Sequence, residues 1–270
     1  MKSILQNLHT HSTFCDGKNT PEEIVLSAID KGFHTIGFSG HSHTPYDLRY
    51  CMMDTEGYIA EIRRLKEKYR GRINILLGLE EDAFATVDRA SFDYIIGSSH
   101  YYLVDGKYLP IDSSYDYFKA CLEAFSYDAV KMAEVYYGSF YDYIIKRRPD
   151  IIGHFDLITK FDELGESLFL ENAQYRAIVE DYTLKLADAG CIFEVNTGAI
   201  TRGFRITPYP SPHLLHLLKN KDARLIITSD SHSVETLNGA FEETADYLYD
   251  LGFRQVYVPE GGKFIPCPLK

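Results

Sequence analysis

Strand-like and helix-like segments alternate along the whole sequence, and this alternation limits the possible folds more than any other feature. Short apolar runs predict strands at 4–8, 35–38, 73–79, 92–97, 150–154, 191–195 and 225–229, and a further edge strand at 255–259. Amphipathic segments predict helices at 21–31, 55–69, 114–126, 128–147, 172–189, 212–218 and 236–251, while 101–112 is expected to be a Tyr-rich loop. The pattern predicts parallel strands with crossover helices, in a barrel or a doubly wound sheet. We therefore interpret residues 1–270 as one α/β domain.

Polar side chains able to bind metal follow six of the seven predicted strands of this pattern. They are His9, His11, His41, His43, Glu80, His100, His154, Asp230 and His232. The remaining strand, the sixth, ends in Glu194-Val195-Asn196. In a parallel barrel, all carboxyl ends of strands lie on one rim, where active sites are built. Residues spread from position 9 to position 232 are therefore expected to converge.

The first strand carries the densest part of this pattern. Residues two apart in an extended chain point to the same side, so His9 and His11 can aim at one point. Asp16 follows after a turn, beside Gly17. Two imidazoles and a carboxylate suit a divalent metal with nitrogen and oxygen ligands. A single histidine at a strand end is more often an ordinary polar residue, but seven of the ten histidines occupy such positions.

The number of candidate ligands predicts more than one metal ion. The nine candidates are His9, His11, Asp16, His41, Glu80, His100, His154, Asp230 and His232. Because zinc takes about four ligands, nine ligands suit two or three ions. Glu80 is the natural shared ligand, since a carboxylate has two oxygens, although Glu81 and Asp82 compete with it.

Composition excludes several classes of protein. No run of eighteen apolar residues exists, so no membrane span is predicted, and the N-terminus lacks a secretory signal, so a cytoplasmic location is expected. The five cysteines are scattered without a Cys-x-x-Cys pair, which argues against disulfides and zinc knuckles. The net charge is −11 and no basic run appears, which argues against nucleic acid as a partner. A small phosphate ester remains a suitable partner, because metal ions can supply the positive charge.

The strand-end residues resemble those of the PHP (polymerase and histidinol phosphatase) family of metal-dependent phosphoesterases. The motifs that carry the resemblance are His9-Thr10-His11, Gly40-His41, Gly78-Leu79-Glu80, Gly97-Ser98-Ser99-His100, Gly153-His154 and Ser229-Asp230-Ser231-His232. Further stretches resemble its histidinol-phosphatase branch: 93–100, 153–158, 194–197 and 209–212. One departure is Ser39-Gly40-His41, where family members commonly have Thr-Asp-His.

The resemblance implies a distorted seven-stranded (β/α) barrel, similar to a TIM barrel, with three divalent metal ions (Zn, Mn or Fe). By position, the first metal would have His9, His11, Glu80 and Asp230 as ligands, the second Glu80, His100 and His154, and the third Asp16, His41 and His232. The implied activity is hydrolysis of histidinol phosphate in histidine biosynthesis. The alternative is another small phosphomonoester or a nucleotide.

Further residues are candidates for substrate binding and catalysis. Arg202, in a Thr-Arg-Gly loop, and Lys160 are the candidate cations for the phosphate. Asp230 and His43 are alternative donors of a proton to the leaving group. Tyr117 and Phe118 lie in the aromatic and acidic stretch 101–118, which suits an imidazole and an ammonium group.

Three rival interpretations are weaker. A nuclease would show tracks of Lys and Arg, whereas this chain has 28 basic and 39 acidic residues. An amidohydrolase barrel often uses a carboxylated lysine as the bridging ligand, and Glu80 occupies that place here. A non-catalytic barrel would be expected to have lost some of its ligands.

Overall fold

The computed structural model describes residues 5–165 and 167–270. Seven parallel strands form one sheet in the order β1-β2-β3-β4-β7-β8-β9. Their bounds are β1 Gln6–Asn7, β2 Thr35–Phe38, β3 Asn74–Asp82, β4 Tyr94–Ser98, β7 Ile151–Ile152, β8 Ile192–Asn196 and β9 Arg224–Thr228. All seven lie where the sequence predicts a strand, although the predicted first strand starts at residue 4, outside the described residues.

The sheet curves until its first and last strands meet. Just beyond β1 and β9, the backbone N–H of His11 donates to the carbonyl of Ser231 at 2.8 Å, and that of Ser231 donates to the carbonyl of His9 at 3.0 Å. These bonds make the sheet a nearly closed seven-stranded barrel, as predicted. They also bring the two ends of the ligand pattern side by side.

Helices cover the outside of the barrel. Their bounds are α1 Pro21–Asp30, α2 Thr55–Lys68, α3 Tyr115–Ala124, α4 Ala129–Arg147, α5 Ala173–Asp188, α6 Gly198–Thr201, α7 Pro212–Asn220 and α8 Phe241–Asp250. The first helix shows why the sequence starts it there: Thr20 and Glu23 form a reciprocal capping box, and Pro21 occupies the first turn. No helix among the described residues is long and apolar enough to span a membrane.

Two hairpins and a late helix start differ from the sequence prediction. The Tyr-rich stretch expected as a loop forms the antiparallel pair β5 Tyr101–Val104 and β6 Lys107–Pro110, which Asp105 and Gly106 connect with positive φ. The predicted edge strand forms a separate hairpin, in which β10 Gln255–Glu260 pairs with β11 Lys263–Pro268. The helix predicted at 236–251 starts later in the structure. A short 3₁₀ turn at Val234–Thr236 comes first, and the α-helix begins at Phe241.

Side chains of the strands alternate between the helical layer and the barrel interior. In β8, Phe193 and Val195 join the large apolar core, whereas Ile192 belongs to a small interior cluster. Tyr94 fills part of that interior and donates to the carbonyl of Leu8 at 2.5 Å. A Cβ on Gly78 would lie 2.2 Å from the Tyr94 ring, so glycine is required there. The barrel interior around Tyr94 is thus filled by apolar side chains, and the polar side chains lie at the carboxyl ends of the strands.

Candidate metal centre

Glu80 lies at the centre of the carboxyl end of the barrel, with 1% exposure. Its Oε2 lies 2.8 Å from Nδ1 of His41, 3.3 Å from Nε2 of His9 and 3.6 Å from Nε2 of His11. These three histidines follow β1 and β2. One carboxylate oxygen therefore faces three imidazole nitrogens from two neighbouring strand ends.

The other oxygen of Glu80 faces histidines that follow β4 and β7. Oε1 lies 3.0 Å from Nε2 of His154 and 3.3 Å from Nε2 of His100. A carboxylate with one oxygen toward each group of histidines has the arrangement expected of a bridging ligand. Glu81 lies on the opposite face of β3, where it pairs with Arg89 and Arg147. The alternation of the strand thus decides between the two neighbouring glutamates.

Asp230 and Asp16 complete the cluster beside β1. Oδ1 of Asp230 lies 3.2 Å from Nε2 of His11 and 3.7 Å from Nε2 of His9. Oδ2 of Asp16 lies 3.3 Å from Nε2 of His232 and 3.7 Å from Nε2 of His41. All nine predicted ligands therefore lie together in the structure.

The unsatisfied donor atoms of this cluster fit divalent cations. Nε2 of His9, Nε2 of His11 and Oε2 of Glu80 are buried without a hydrogen-bond partner. Such atoms are costly to bury unless something else satisfies them, and a metal ion does. Four groups of ligand atoms lie within 4.8 Å of one another: His11, Asp16, His41 and His232; His9, His11 and Glu80; His9, His154 and Asp230; and His41, Glu80 and His100.

These groups overlap the predicted division among three metals without reproducing it. His11 also joins the Asp16 group, and His41 joins Glu80 and His100. The assignment of individual ligands to individual metals therefore stays a prediction.

Electrostatics differ sharply between the first two histidines. Burial opposes charge on His9, but Glu194, Glu80 and Asp230 raise its pKa well above the usual value. For His11, burial and the neighbouring histidines lower the pKa to about 3. A neutral imidazole is the form that binds metal, and His11 has it at neutral pH.

Carboxylates behind the cluster orient two of the histidines. Oε1 of Glu194 lies 2.5 Å from Nδ1 of His9, which leaves Nε2 of that ring to face Glu80. Oδ2 of Asp82 lies 3.2 Å from Nδ1 of His100 in the same way. Support of this kind fixes the tautomer of a metal-binding histidine. The sequence analysis gave neither Glu194 nor Asp82 this role. Each nevertheless lies two residues from another polar residue at the end of the same strand: Asn196 for Glu194 and Glu80 for Asp82.

A cavity of about 410 Å³ opens onto the cluster. Its wall combines ligands with residues of the surrounding loops. They are Asp16, His41, Asp47, Arg49, Tyr50, His100, Tyr101, Pro110, Asp112, Ser113, His154, Leu157, Lys160, Arg202, Phe204, Asp230 and His232. The wall carries three cations and two carboxylates outside the cluster, so it suits a ligand with charges of both signs.

Comparison with known proteins decides the family. The PHP domain profile matches residues 7–198, which is more than half of the chain. The chain belongs to the PHP domain family. Asp230 and His232 lie beyond the matched part, yet the barrel closure places them beside His9 and His11.

Several known proteins resemble this chain along most of its length. The chain is 28% identical to a probable histidinol-phosphatase of Schizosaccharomyces pombe, over 94% of this chain and 89% of that protein. It is 29% identical to the histidinol-phosphatase of Bacillus subtilis, over 87% of this chain and 96% of that protein. The crystal structure of histidinol phosphate phosphatase from Lactococcus lactis, complexed with zinc, L-histidinol and phosphate, has a TM-score of 0.72 at 19% identity. That match covers 97% of this chain and 99% of the Lactococcus chain, and it shows a shared fold.

The departure from the common PHP motif has a structural counterpart at Gly40. A Cβ on Gly40 would lie 3.0 Å from Cε of Met52 and 3.1 Å from Sγ of Cys15. The same sulfur lies 3.5 Å from Nδ1 of His11. In this PHP chain, two sulfur-containing side chains therefore occupy the space beside His41 where an acidic side chain would begin.

The predicted substrate-binding residues divide into two groups. Lys160 and Arg202 line the cavity. Tyr117 lies at the surface, where its hydroxyl accepts a hydrogen bond from the cavity residue Arg49 at 2.5 Å. Phe118 is buried against Phe161 and Phe169 and does not line the cavity, so its expected contact with substrate is wrong. It is the first apolar residue of α3 that faces the core.

The two candidate proton donors also differ. His43 is exposed, does not line the cavity, and its Nδ1 lies 3.1 Å from the carbonyl of Met52, so this side chain is turned away from the cluster. Asp230 lines the cavity, but Arg202 and His9, against the effect of burial, hold the pKa of its carboxyl well below the usual value. An ionised Asp230 suits a metal ligand better than a proton donor.

Proposed function

We propose that this PHP protein is a metal-dependent phosphomonoesterase that hydrolyses histidinol phosphate to histidinol and phosphate. The observation that carries the proposal is the position of Glu80 among five imidazole nitrogens, beneath a cavity with charges of both signs. The names of the relatives, which match nearly their whole length, support the same substrate.

The nine clustered side chains are the proposed ligands of three divalent ions, with zinc among the suitable metals. Bound metals of this kind supply a hydroxide at neutral pH and neutralise charge on phosphate oxygens. The protein's own residues must then place the phosphate over the cluster and hold the rest of the substrate in the cavity.

Arg202 is suited to the phosphate. The Arg202 guanidinium donates to the backbone carbonyl of Asp230 at 2.9 Å and to Oδ2 of Asp230 at 3.0 Å. The Arg202 side chain is 32% exposed. A fixed cation at the edge of the cluster favours the negative charge that develops on the transferred phosphoryl group. Arg202 is therefore the proposed phosphate-binding cation.

Asp112 is the better of two carboxylates for the substrate's ammonium group. Both oxygens of Asp47 are already occupied, by the guanidinium of Arg49 and the hydroxyl of Tyr101. Asp112 lines the same cavity, and the hydrogen bond that it accepts from Lys160 at 2.6 Å ends on its backbone carbonyl. Its carboxylate has one contact with Nζ of Lys160, at 3.4 Å, and is 28% exposed. The Asp112 carboxylate can therefore form an ion pair with the ammonium group of a substrate in the cavity.

Phosphate release from a panel of phosphomonoesters tests the proposal. The panel contains histidinol phosphate, its analogue without the amino group, p-nitrophenyl phosphate and a nucleoside monophosphate. We expect kcat/KM to be highest for histidinol phosphate. We also expect chelation of the metal to abolish activity, and subsequent addition of zinc or manganese to restore it. Faster turnover of the nucleotide would refute the substrate, and full activity after verified metal removal would refute the metal-dependent mechanism.

A further inference from the structure

Two loops beside the cavity are joined along their length. We call them the paired loops: residues 156–163, which follow β7, and residues 202–211, which follow α6. Glu163 accepts hydrogen bonds from the backbone of Ile206 at 2.6 Å and from that of Thr207 at 3.1 Å. At the other end, Asp156 accepts one from the backbone of Ser211 at 3.0 Å. The paired loops therefore act as one wall.

Arg205 lies between the paired loops and is 1% exposed. Its guanidinium donates to the hydroxyl of Thr159 at 2.5 Å, of Ser211 at 3.0 Å and of Thr207 at 3.1 Å. It also lies over the ring of Tyr209, 4.4 Å from the centroid. One side chain thus contacts both loops, and the proposed hydrolysis does not use it directly.

The charge of this buried arginine is balanced by carboxylates of the first loop, residues 156–163. Oε2 of Glu163 lies 3.7 Å from Nε of Arg205, and the hydroxyl of Ser211, which accepts from the guanidinium, in turn donates to Asp156. Nε of Arg205 and Oδ1 of Asp156 have no hydrogen-bond partner. Burying a cation is costly unless it is paired, so Arg205 is held at the position where Glu163 and the three hydroxyls surround it.

The contacts of Arg205 lead directly to the cavity. Thr159 precedes Lys160, and Phe204 precedes Arg205 itself; Lys160 and Phe204 both line the cavity. Nζ of Lys160 lies 4.6 Å from the centroid of the Phe204 ring, and it donates to the backbone carbonyl of Asp112 at 2.6 Å. A shift of Arg205 would therefore move the cation and the carboxylate that face the substrate.

We propose that Arg205 is a positioning residue for substrate binding: by joining the paired loops it holds Lys160, and through Lys160 also Asp112, in the geometry that binds the substrate. This inference rests on the proposed phosphomonoesterase function. It assigns a specific effect on substrate affinity to a residue that makes no hydrogen bond or ion pair with the nine proposed metal ligands. The chemistry at the cluster should depend on it much less.

Arg205→Lys tests the proposal, because lysine keeps the charge but loses the three-way hydrogen bonding and the stacking on Tyr209. We expect KM for the best phosphomonoester to rise about tenfold, with kcat changed less than about threefold and metal content unchanged. The matched control is Arg254→Lys, since Arg254 is exposed and lies 4.3 Å from the centroid of the Tyr249 ring, away from the cavity. The control should leave both constants unchanged.

A double-mutant cycle separates positioning from general destabilisation. If Arg205 acts through Lys160, Arg205→Lys should have little further effect on KM in a Lys160→Met background. The proposal is overturned if the two changes raise KM by factors that simply multiply in the double variant. It is also overturned if Arg205→Lys lowers kcat by as much as it raises KM and loses bound metal. If Arg205→Lys does not fold, Thr159→Val removes a single contact of Arg205 and replaces it in the cycle. A wild-type protein that hydrolyses other phosphomonoesters but not histidinol phosphate would refute the proposed substrate alone, and the cycle would use the ester that is hydrolysed.

Discussion

Replacing Glu194 with glutamine should weaken both folding and metal binding. The carboxylate accepts four hydrogen bonds: Oε1 accepts from His9 and Thr228, and Oε2 accepts from the backbone of His154 and the side chain of Asn196. In glutamine one of these atoms becomes an NH₂ group. If the NH₂ group takes the Oε2 position, it faces the backbone N–H of His154, which can only donate. If it takes the Oε1 position, the His9 ring and the Thr228 hydroxyl must accept instead of donate, which places the His9 proton on Nε2, the atom that faces Glu80.

The size of the effect follows from those lost bonds. Each buried donor left unsatisfied should lower the free energy of unfolding by about 1–3 kcal/mol. Loss of the carboxylate behind His9 should also lower metal affinity by about 10- to 100-fold, the usual effect of removing such support from a metal-binding histidine. The metal effect requires that His9 be a ligand.

Urea unfolding of the metal-free protein, followed by circular dichroism, measures the first effect, and zinc competition with a chromophoric chelator measures the second. Asp162→Asn is the matched control: the Asp162 carboxylate is buried and accepts donors on both oxygens, from Ser167 and the backbone of Leu168 among others, but contacts no histidine. It should lose stability and keep zinc affinity. Zinc affinity that falls equally in both variants, or in neither, would refute the reasoning.

Two further substitutions address the centre and the cavity. Glu80→Gln should lower bound metal and reduce kcat/KM by more than about a hundredfold, because an amide has only one oxygen where the carboxylate presents one to each group of histidines. Metal analysis and phosphate release with near wild-type values would contradict this. Asp112→Asn should raise KM for histidinol phosphate by about 10- to 100-fold, since it loses a charged contact with the ammonium group. The analogue without the amino group is the control for Asp112→Asn, and an equal rise in its KM would exclude the assignment.

The strand ends were predictable because a parallel barrel brings them together whatever the details of the loops. His9, His100 and His154 could be placed on one rim from their positions after strands alone, and the structure puts all three around Glu80. The choice between Glu80 and Glu81 needed the actual register, because an error of one residue reverses the side of the strand.

Loop residues were not predictable in the same way. His43 follows the second strand closely, yet its side chain is exposed and its Nδ1 lies beside the carbonyl of Met52. Phe118 was misplaced because an aromatic residue at the start of a helix packs equally well in a core or in a pocket. The proposed role of Arg205 depends on contacts between two loops. The contacting residues are more than forty positions apart along the chain, and no local pattern signals such contacts.

The junction of β1 with β9 has a consequence for biosynthesis. The cluster takes His9 and His11 from one side of this junction and Asp230 and His232 from the other, so the first ligands leave the ribosome long before the last. A nascent chain that stops short of residue 224 contains several of the histidines and Glu80 but lacks β9, the strand that closes the barrel. Tight metal retention should therefore mark chains that have completed the barrel, and a pulse of zinc during synthesis should protect only those chains from proteolysis.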